Sequence, residues 1–403
     1  MNKLVLPNGL TVIYKQSSSN ALAIQAMVKV GSNTEKNGQR GIAHMVEHLV
    51  FEGTPKRPNG NDVARAIERV GGEFNAYTSN HRTNYYIKLL GKHGKLAINV
   101  IGDILQNALM LQKDFIRERE VVCKEIDMFQ DDPKSFQWLH LEKMLFVKNA
   151  AKYPSCGIKK ELMKLSRDDV YKFYKENYHP KNVVIVIVGN LPQWKKLIKE
   201  EFGNWKARKP TKRPMVNEPL KKRTLKKKMT KPYENNYMLI GFVAAKRGSK
   251  DSYALDVIQA ILGKGQSGNL FHELRGKRGL VYDVAVEYGS DLDFGYFVVY
   301  ASCSKKHAAE VRKVVSLELK KLETCSLTEI KDAKTFLEGD YLMDVEDVQK
   351  QAEQLLFWYD IGDEKLFKKY IRNIKAVSAA DIKRVVKKYF AYPATIELVG
   401  KGK

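Results

Sequence analysis

The feature that most constrains the fold of this chain is a segment that occurs twice. Ser166 begins a predicted helix that is followed by an apolar strand at 183–189, and Ser378 begins another that is followed by a strand at 396–400. Both helices start at a serine, a favourable cap, and end near a proline, which cannot continue a helix. Such self-similarity predicts a duplicated domain.

Each half mixes strands with long helices. This pattern predicts an α+β fold of two homologous domains, each with a mostly antiparallel sheet packed by helices. A chain of 403 residues is also too long for a single small core. The predicted parts are an N-terminal domain at 1–206, a linker at 207–231 and a C-terminal domain at 232–403. The linker segment combines prolines with many lysines and arginines, which is typical of a solvated connection.

Apolar periodicity places the individual elements along the chain. The first half is predicted to have strands at 10–14, 24–30 and within 75–87, and helices near 41–52, 60–70, 94–110 and 113–130. The second half is predicted to have strands at 237–243, 281–288 and 296–303, and helices at 252–262, 305–322, 327–340, 346–358 and 364–371.

The net charge of +24 is the one unusual bulk property. The densest basic run lies in the predicted linker without a nucleic-acid-binding motif, so nucleic acid is not expected as a partner. No apolar run approaches the length that spans a bilayer, so no membrane span is expected. The four cysteines lack C-x-x-C spacing, and the first residues lead into a turn rather than a signal peptide. A cytoplasmic location is therefore expected.

One short motif, His44-Met45-Val46-Glu47-His48, predicts a metal site. On a helix, positions i and i+4 lie about 40° apart on one face, so both imidazoles can reach one Zn²⁺. Glu47 would then lie beside a water on the metal, as in other zinc peptidases, although the H-x-x-E-H order reverses the commoner motif. The alternative is two surface histidines on an ordinary helix. Because only 8 of the 403 residues are histidine, the metal site is the favoured interpretation.

A catalytic zinc needs a third protein ligand and an open fourth position. Glu118 and Glu125 are seven residues apart on a predicted helix and therefore lie along one side of it. An acidic helix face is usually just solvated, so this pattern alone leaves the ligand open.

With these glutamates, the H-x-x-E-H motif is similar to the pattern of the pitrilysin/insulinase family of zinc peptidases. The chain most resembles the two-domain type, to which the subunits of mitochondrial processing peptidase belong. The resemblance covers nearly the whole chain and extends to several other segments. These are GGEFNAYTS at 71–79, TNYY at 83–86, YP at 153–154, LSRDD at 165–169 and LRGKRGLVY at 274–282.

The resemblance implies a role for each residue of the zinc motif. His44, His48 and Glu125 would hold Zn²⁺, Glu47 would act as general base, and Glu118 would orient a ligand histidine. It also implies roles outside the motif.

Substrate would bind along a strand edge at Asn75-Ala76-Tyr77, although the residues alone favour an internal hairpin strand. Arg275 would grip the substrate backbone, and Tyr282 would donate a hydrogen bond to the tetrahedral oxyanion.

The resemblance predicts a zinc-dependent endopeptidase that hydrolyses peptide bonds in unfolded peptides bound in an enclosed chamber. A non-catalytic scaffold or partner subunit of a peptidase complex is the alternative. Longer family enzymes carry four such domains, so this two-domain chain is expected to form a homodimer in which Arg275 and Tyr282 of one subunit complete the zinc site of the other. A heterodimer with a related subunit, or a chain that closes on its own site, remains open.

Overall fold

The structure is a computed structural model that describes residues 1–362 and 365–400. It contains two compact units, and each draws on several stretches of the chain. The first unit comprises Met1–Asp127, Tyr153–Pro214 and Met343–Glu364; the second comprises Met128–Lys152, Met215–Leu342 and Lys365–Lys403.

The described residues form strands and helices in alternating runs. The strands are β1 (Asn2–Val5), β2 (Thr11–Lys15), β3 (Ala21–Val28), β4 (Glu73–Thr78), β5 (Thr83–Leu90), β6 (Val183–Val188), β7 (Leu225–Lys231), β8 (Asn236–Val243), β9 (Val281–Ser290), β10 (Gly295–Cys303) and β11 (Ala394–Gly400). The helices are α1 (Ile42–Val50), α2 (Gly60–Glu68), α3 (Gly94–Asn107), α4 (Gln112–Asp131), α5 (Pro133–Leu145), α6 (Lys159–Leu162), α7 (Arg167–Asn177), α8 (Trp194–Phe202), α9 (Lys250–Gly263), α10 (Asn269–Phe271), α11 (Ala308–Lys321), α12 (Leu327–Asp344), α13 (Val348–Ile361), α14 (Leu366–Lys375) and α15 (Ala379–Tyr389).

The sheet of the first unit has the strand order β1-β2-β6-β3-β5-β4. β2 and β6 pair in parallel, and the other neighbours pair antiparallel. Its buried face packs against α1, α3 and α7 in one apolar core. The sheet of the second unit has the order β7-β11-β8-β10-β9, with only the β7–β11 pair parallel. The predicted α+β class with mostly antiparallel sheets is confirmed.

The two sheets repeat one arrangement, since β2-β6-β3-β5-β4 corresponds strand by strand to β7-β11-β8-β10-β9. The helix that precedes the parallel strand is also repeated. α7 begins with a capping box between Ser166 and Asp169, and α15 begins with the same box between Ser378 and Asp381. In each box the serine accepts from the aspartate N–H while the carboxylate accepts from the serine N–H, which satisfies two otherwise unpaired donors.

Each sheet is covered by a helix that comes from the opposite half of the sequence. α13 packs on β3 and β6 of the first unit, and α5 packs on β8 and β11 of the second. Neither helix could be assigned to its sheet from the sequence, because the contacts join residues that are far apart along the chain.

The segment predicted as a linker is more ordered than its composition indicates. Leu225–Lys231, assigned to that linker, instead forms β7, because Leu225 and Met229 pack on the core of the second unit while the intervening lysines stay exposed. Upstream, Thr211 exchanges hydrogen bonds with Asn182 in the first unit. In the second unit, the Glu218 carboxylate accepts hydrogen bonds from the three backbone N–H groups of residues 147–149.

Most predicted elements match the structure to within a few residues, but several described helices were not predicted: α5, α6, α8 and α10. Helix α5 was not predicted, because its apolar residues are spread around the helix rather than gathered on one face. The first residue of the helix predicted at 364–371 lies outside the described residues, and the described helix there is α14. Across residues 1–362 and 365–400, no helix is both long and apolar enough to cross a bilayer.

Candidate metal centre

The helix that carries the H-x-x-E-H motif is fixed at its first turn by a buried carboxylate. Glu35 accepts hydrogen bonds from the N–H groups of Gly41 at 3.1 Å and Ala43 at 3.0 Å. The first N–H groups of a helix have no carbonyl acceptor within the helix, and Glu35 supplies acceptors for these two. Burial raises the pKa of Glu35 to about 8, although these two hydrogen bonds oppose the shift. Gly41 has a φ of 103°, and a Cβ on the facing Gly157 would lie 2.3 Å from the Gly41 Cα. Glycine is therefore required at both positions.

The three predicted zinc ligands lie together in the first unit. His44 Nε2 is 3.8 Å and His48 Nε2 is 3.6 Å from Oε2 of Glu125, and all three ligand atoms lie within 4.8 Å of one another. Two atoms bound tetrahedrally to one zinc at 2.0–2.1 Å are about 3.3 Å apart, so the two His–Glu125 distances are within about half an ångström of that spacing. Within the described residues, this is the only group of three or more His, Cys, Asp or Glu side chains arranged closely enough to hold a metal ion.

The two histidines differ in their surroundings: His44 is held neutral by burial, and His48 is oriented by a carboxylate. Burial, together with the adjacent His48, lowers the pKa of His44 to about 3, so His44 is neutral at physiological pH. His48 Nδ1 lies 3.1 Å from Oε2 of Glu118. Because that hydrogen bond lowers the pKa of Glu118, the carboxylate accepts and Nδ1 carries the proton, which directs Nε2 toward Glu125. Burial lowers the pKa of His48, but its bond to Glu118 and the nearby carboxylates outweigh burial and raise it.

An arginine that the sequence analysis did not single out holds Glu118 in place. Arg117 Nε donates to Glu118 Oε1 at 3.1 Å, and Nη1 donates to Asp114 at 3.1 Å. Its remaining nitrogen, Nη2, donates to Glu52, which follows α1 in sequence. Glu118 is therefore fixed from both sides, by Arg117 and by His48.

Glu47, the predicted general base, is buried beside the trio. Thr78 Oγ1 donates to Glu47 Oε2 at 2.5 Å. Burial raises the pKa of Glu47, the bond from Thr78 opposes that shift, and the charges of His48 and Glu125 also act on the carboxylate. A carboxyl group whose pKa is raised toward neutrality can both accept and return a proton, as acid–base catalysis requires.

The predicted substrate strand lies at the edge of its sheet. Asn75, Ala76 and Tyr77 belong to β4, which is the terminal strand and is paired in the sheet only with β5 among the described strands. Side chains alternate along it between exposed and half-buried. The structure thus places these residues in an edge strand, whereas the residues alone favoured an internal hairpin strand.

Arg275 and Tyr282 lie together, but in the second unit. Arg275 lies in a short π-helical turn at 272–276, and its Nη1 donates to the carbonyl oxygen of Tyr282 at 2.9 Å. Tyr282 is in the edge strand β9 and is 57% exposed. The zinc trio and this pair therefore belong to different units of one chain.

Three supporting residues escaped the sequence analysis: Glu35, Thr78 and Arg117. A signal existed for Thr78, because alternation along β4 places residues 74, 76 and 78 on one face. Glu35 and Arg117 carried no signal, since their roles depend on contacts made only after folding.

Comparison with known proteins identifies the class. The chain matches the sequence model of the family described as insulinase (peptidase family M16) over residues 11–159, and that of the peptidase M16 inactive domain over residues 164–337. A protein of Mycobacterium leprae (strain TN) named an uncharacterized zinc protease is 31% identical over 366 residues, which cover 88% of this chain and 81% of that protein. An uncharacterized zinc protease of Rickettsia bellii (strain RML369-C) is 29% identical over 403 residues, which cover 98% and 96% of the two chains.

Solved structures share the fold of the whole chain. A protease from Helicobacter pylori matches with a TM-score of 0.93 at 24% identity and covers 99% of both chains. A peptidase M16 inactive domain from Pseudomonas fluorescens matches with a TM-score of 0.89 at 16% identity, covering 99% of this chain and 98% of that one. The fold and its motifs thus define a two-domain relative of zinc peptidases. The chain belongs to the pitrilysin/insulinase family, peptidase family M16, as its motifs predicted.

Proposed function

We propose that this protein is a zinc-dependent endopeptidase that cleaves unfolded peptides. The observation that carries the proposal is the convergence of His44, His48 and Glu125 with the buried carboxylate of Glu47 beside them. Two imidazoles and one carboxylate form the donor set of a catalytic zinc site. Three protein ligands leave the fourth coordination position of the zinc open. The names of the curated relatives support the same chemistry.

The residues around the trio have different roles in the proposed hydrolysis. Zinc, when bound, supplies Lewis-acid chemistry that acidifies water and polarises a carbonyl group. Glu47 takes the proton from the attacking water and returns it to the leaving amine, while Thr78 holds the carboxylate in position. Glu118 fixes the ring of His48 and keeps its proton on Nδ1.

The substrate proposed for β4 is an extended peptide. The free edge of β4 offers backbone N–H and C=O groups, so a peptide can add as a further strand without depending on one side chain. Folded proteins seldom offer such a segment, which accounts for the preference for unfolded chains.

We further propose that the active form is a homodimer with an enclosed chamber. Arg275 and Tyr282 carry the remaining groups that the family's chemistry uses, and they lie in a different unit from the trio. In a C₂ dimer, each subunit can contribute this pair to the zinc site of its partner. Tyr282 is 57% exposed, as expected for a side chain that contacts the bound substrate only after the dimer has formed.

The test is the substitution Glu47→Gln in the zinc-loaded protein. The variant is expected to keep its zinc and its fold but to lose cleavage of quenched peptides, because the base is lost while the ligands remain. Glu120→Gln, which changes an exposed carboxylate on α4, is the matched control and should keep full activity. If wild type binds zinc but cleaves no peptide in a broad library, the proposed activity is wrong and the scaffold alternative is favoured.

A further inference from the structure

The two faces of β4 contact different helices. Phe74 and Thr78 face α1: the Phe74 ring lies 5.3 Å from the ring of Phe51, which follows that helix, and Thr78 donates to Glu47. Residues 73, 75 and 77 alternate with them and therefore face the opposite side of the sheet, where α13 packs. A peptide added to the edge of β4 would alternate in the same way, with every second side chain on the α13 side.

A carboxylate from α13 reaches the edge strand on that side. Glu353 Oε1 accepts a hydrogen bond from the Tyr77 hydroxyl at 3.0 Å, and the same hydroxyl accepts one from Asn84 Nδ2 at 2.5 Å. Asn84 is the β5 residue directly opposite Tyr77 in the register. The phenol is thus anchored, and it holds the exposed Glu353 carboxylate at the level of β4.

A second exposed carboxylate lies on the same face of the strand. The Glu73 side chain is 64% exposed, and its nearest cation is Lys88 at 3.5 Å. Lys88 makes the shorter contact, 2.7 Å, with Asp347 at the start of α13, so most of its charge is already balanced there. The α13 side of β4 therefore carries two exposed carboxylates, Glu73 and Glu353, in a chain whose net charge is +24.

We infer that Glu353 is a specificity-determining residue that selects a lysine or arginine in the substrate. The inference rests on the proposed function, because it concerns a peptide bound on β4. Side chains directly opposite in paired strands have Cβ atoms about 4.5–5.5 Å apart, so a long basic side chain opposite Tyr77 can cross its ring and reach Glu353. In the bound peptide, the residues immediately before and after this basic residue point to the opposite face of β4, the face toward the predicted zinc ligands.

Because the net charge of the chain is positive, a preference for a basic residue in the substrate would indicate a local carboxylate. The long-range field of a chain of charge +24 attracts acidic peptides and repels basic ones. A preference for a basic residue at one position therefore requires a local carboxylate. A partly solvated ion pair corresponds to about a two- to fivefold preference, and added salt should weaken it.

The experiment uses zinc-loaded protein and quenched peptides that differ only by lysine, glutamine or glutamate at each position in turn. Wild type is expected to show the higher kcat/KM for lysine at one position. Glu353→Gln should abolish that difference, and Glu353→Lys should reverse it in favour of glutamate. Glu200→Gln, an equal charge change on α8, is the control and should leave the preference intact. Unchanged lysine preference in Glu353→Lys would overturn the inference while leaving the peptidase activity standing.

A binding assay separates this inference from the proposed activity. Fluorescence anisotropy with Glu47→Gln protein measures peptide affinity without cleavage. The lysine peptide should bind about two- to fivefold more tightly than its glutamate counterpart, and the double variant Glu47→Gln/Glu353→Lys should invert the order. Equal affinities in both proteins would refute the role of Glu353 even if no peptide is ever cleaved.

Discussion

Replacing Asp360 by asparagine is predicted to destabilise the first unit strongly. The Asp360 side chain, near the end of α13, is only 1% exposed and faces two guanidinium groups, those of the buried Arg82 and the half-buried Arg213. Arg213 Nη1 donates to Oδ2 at 2.8 Å, its Nη2 lies 2.8 Å from Oδ1, and Arg82 Nε lies 3.2 Å from Oδ2. Asparagine keeps the volume but removes the charge, so both arginines lose a counter-ion where little water can replace it.

The size of the effect follows from the burial of all three groups. Removing one partner of a buried ion pair costs about 3–5 kcal/mol. The Arg213 side chain is 18% exposed and can regain some hydration, which favours the lower end, about 3 kcal/mol. For a domain of about 150–250 residues, each kcal/mol shifts Tm by about 2–4 °C, so a decrease of about 6–12 °C is expected.

The same carboxylate should make this difference depend on pH. Burial raises the pKa of Asp360, but Arg82 and Arg213 outweigh burial and hold it below its ordinary value. A carboxyl group whose pKa is depressed by folding stabilises the folded state above its unfolded pKa, about 3.9, and loses that contribution as the pH falls through the folded pKa. The gap in Tm between wild type and Asp360→Asn should therefore be full at pH 7 and shrink below about pH 4.

Scanning calorimetry of chelator-treated proteins at stepped pH measures this gap without a contribution from metal. The matched control is Asp344→Asn, which removes an exposed ion pair with Lys350 and should cost no more than about 1 kcal/mol. A Tm decrease for Asp360→Asn that does not exceed that of Asp344→Asn at pH 7 would refute the reasoning.

Three further predictions concern the metal centre and its completion. Glu125→Gln should lower zinc content after dialysis against a weak chelator, whereas Glu120→Gln should not; equal content in the two variants would remove Glu125 from the ligand set. Glu118→Ala should weaken zinc affinity about 10- to 100-fold, measured by competition with a chromogenic chelator, because His48 loses the acceptor that orients it. Mixing inactive Glu47→Gln with inactive Tyr282→Phe protein should restore part of the peptidase activity, since each mixed dimer has one intact composite site; mixed dimers that form but stay inactive would exclude sharing between subunits.

The sequence predicted the local features of the fold well because local chemistry determines them. The capped starts of α7 and α15 depend on residues three positions apart, and the structure has both boxes. The proximity of His44 and His48 follows from helical geometry alone, and their Nε2 atoms both lie within 4 Å of Glu125. The lysine-rich strand β7 was not predicted, because only Leu225 and Met229 among its residues pack on the core and the apolar pattern is therefore weak.

Contacts between distant segments could not be predicted from one sequence. Thr78 meets Glu47, and Glu353 meets Tyr77, only because β4 forms a sheet edge between α1 and α13. Alternation along β4 predicts which residues share a face, but it does not reveal which helix covers that face. Arg213 looked like one more basic residue of a solvated linker, whereas it forms a buried ion pair with Asp360.

The duplicated fold shows that the backbone alone does not create the metal site. In the first unit, the helix after β3 carries His44 and His48. In the second, the helix after the equivalent strand β8 is α9, which contains no histidine and instead presents Asp256 to Arg247 in a two-pronged pair at 2.7 and 3.1 Å. The corresponding helix thus carries the candidate metal ligands in one unit and an ion pair in the other.

Helix α13 connects the unit with the candidate metal centre to the second half of the chain. α13 supplies the side chains that cover β3 and β6, and it brings Glu353 to the substrate strand and Asp360 to the buried arginines. Residues 1–206 alone would leave the apolar side chains of those strands open to water and Arg82 without its carboxylate. The half that contains every predicted zinc ligand therefore relies on the other half for packing and charge balance and, in the inference for Glu353, for its choice of substrate.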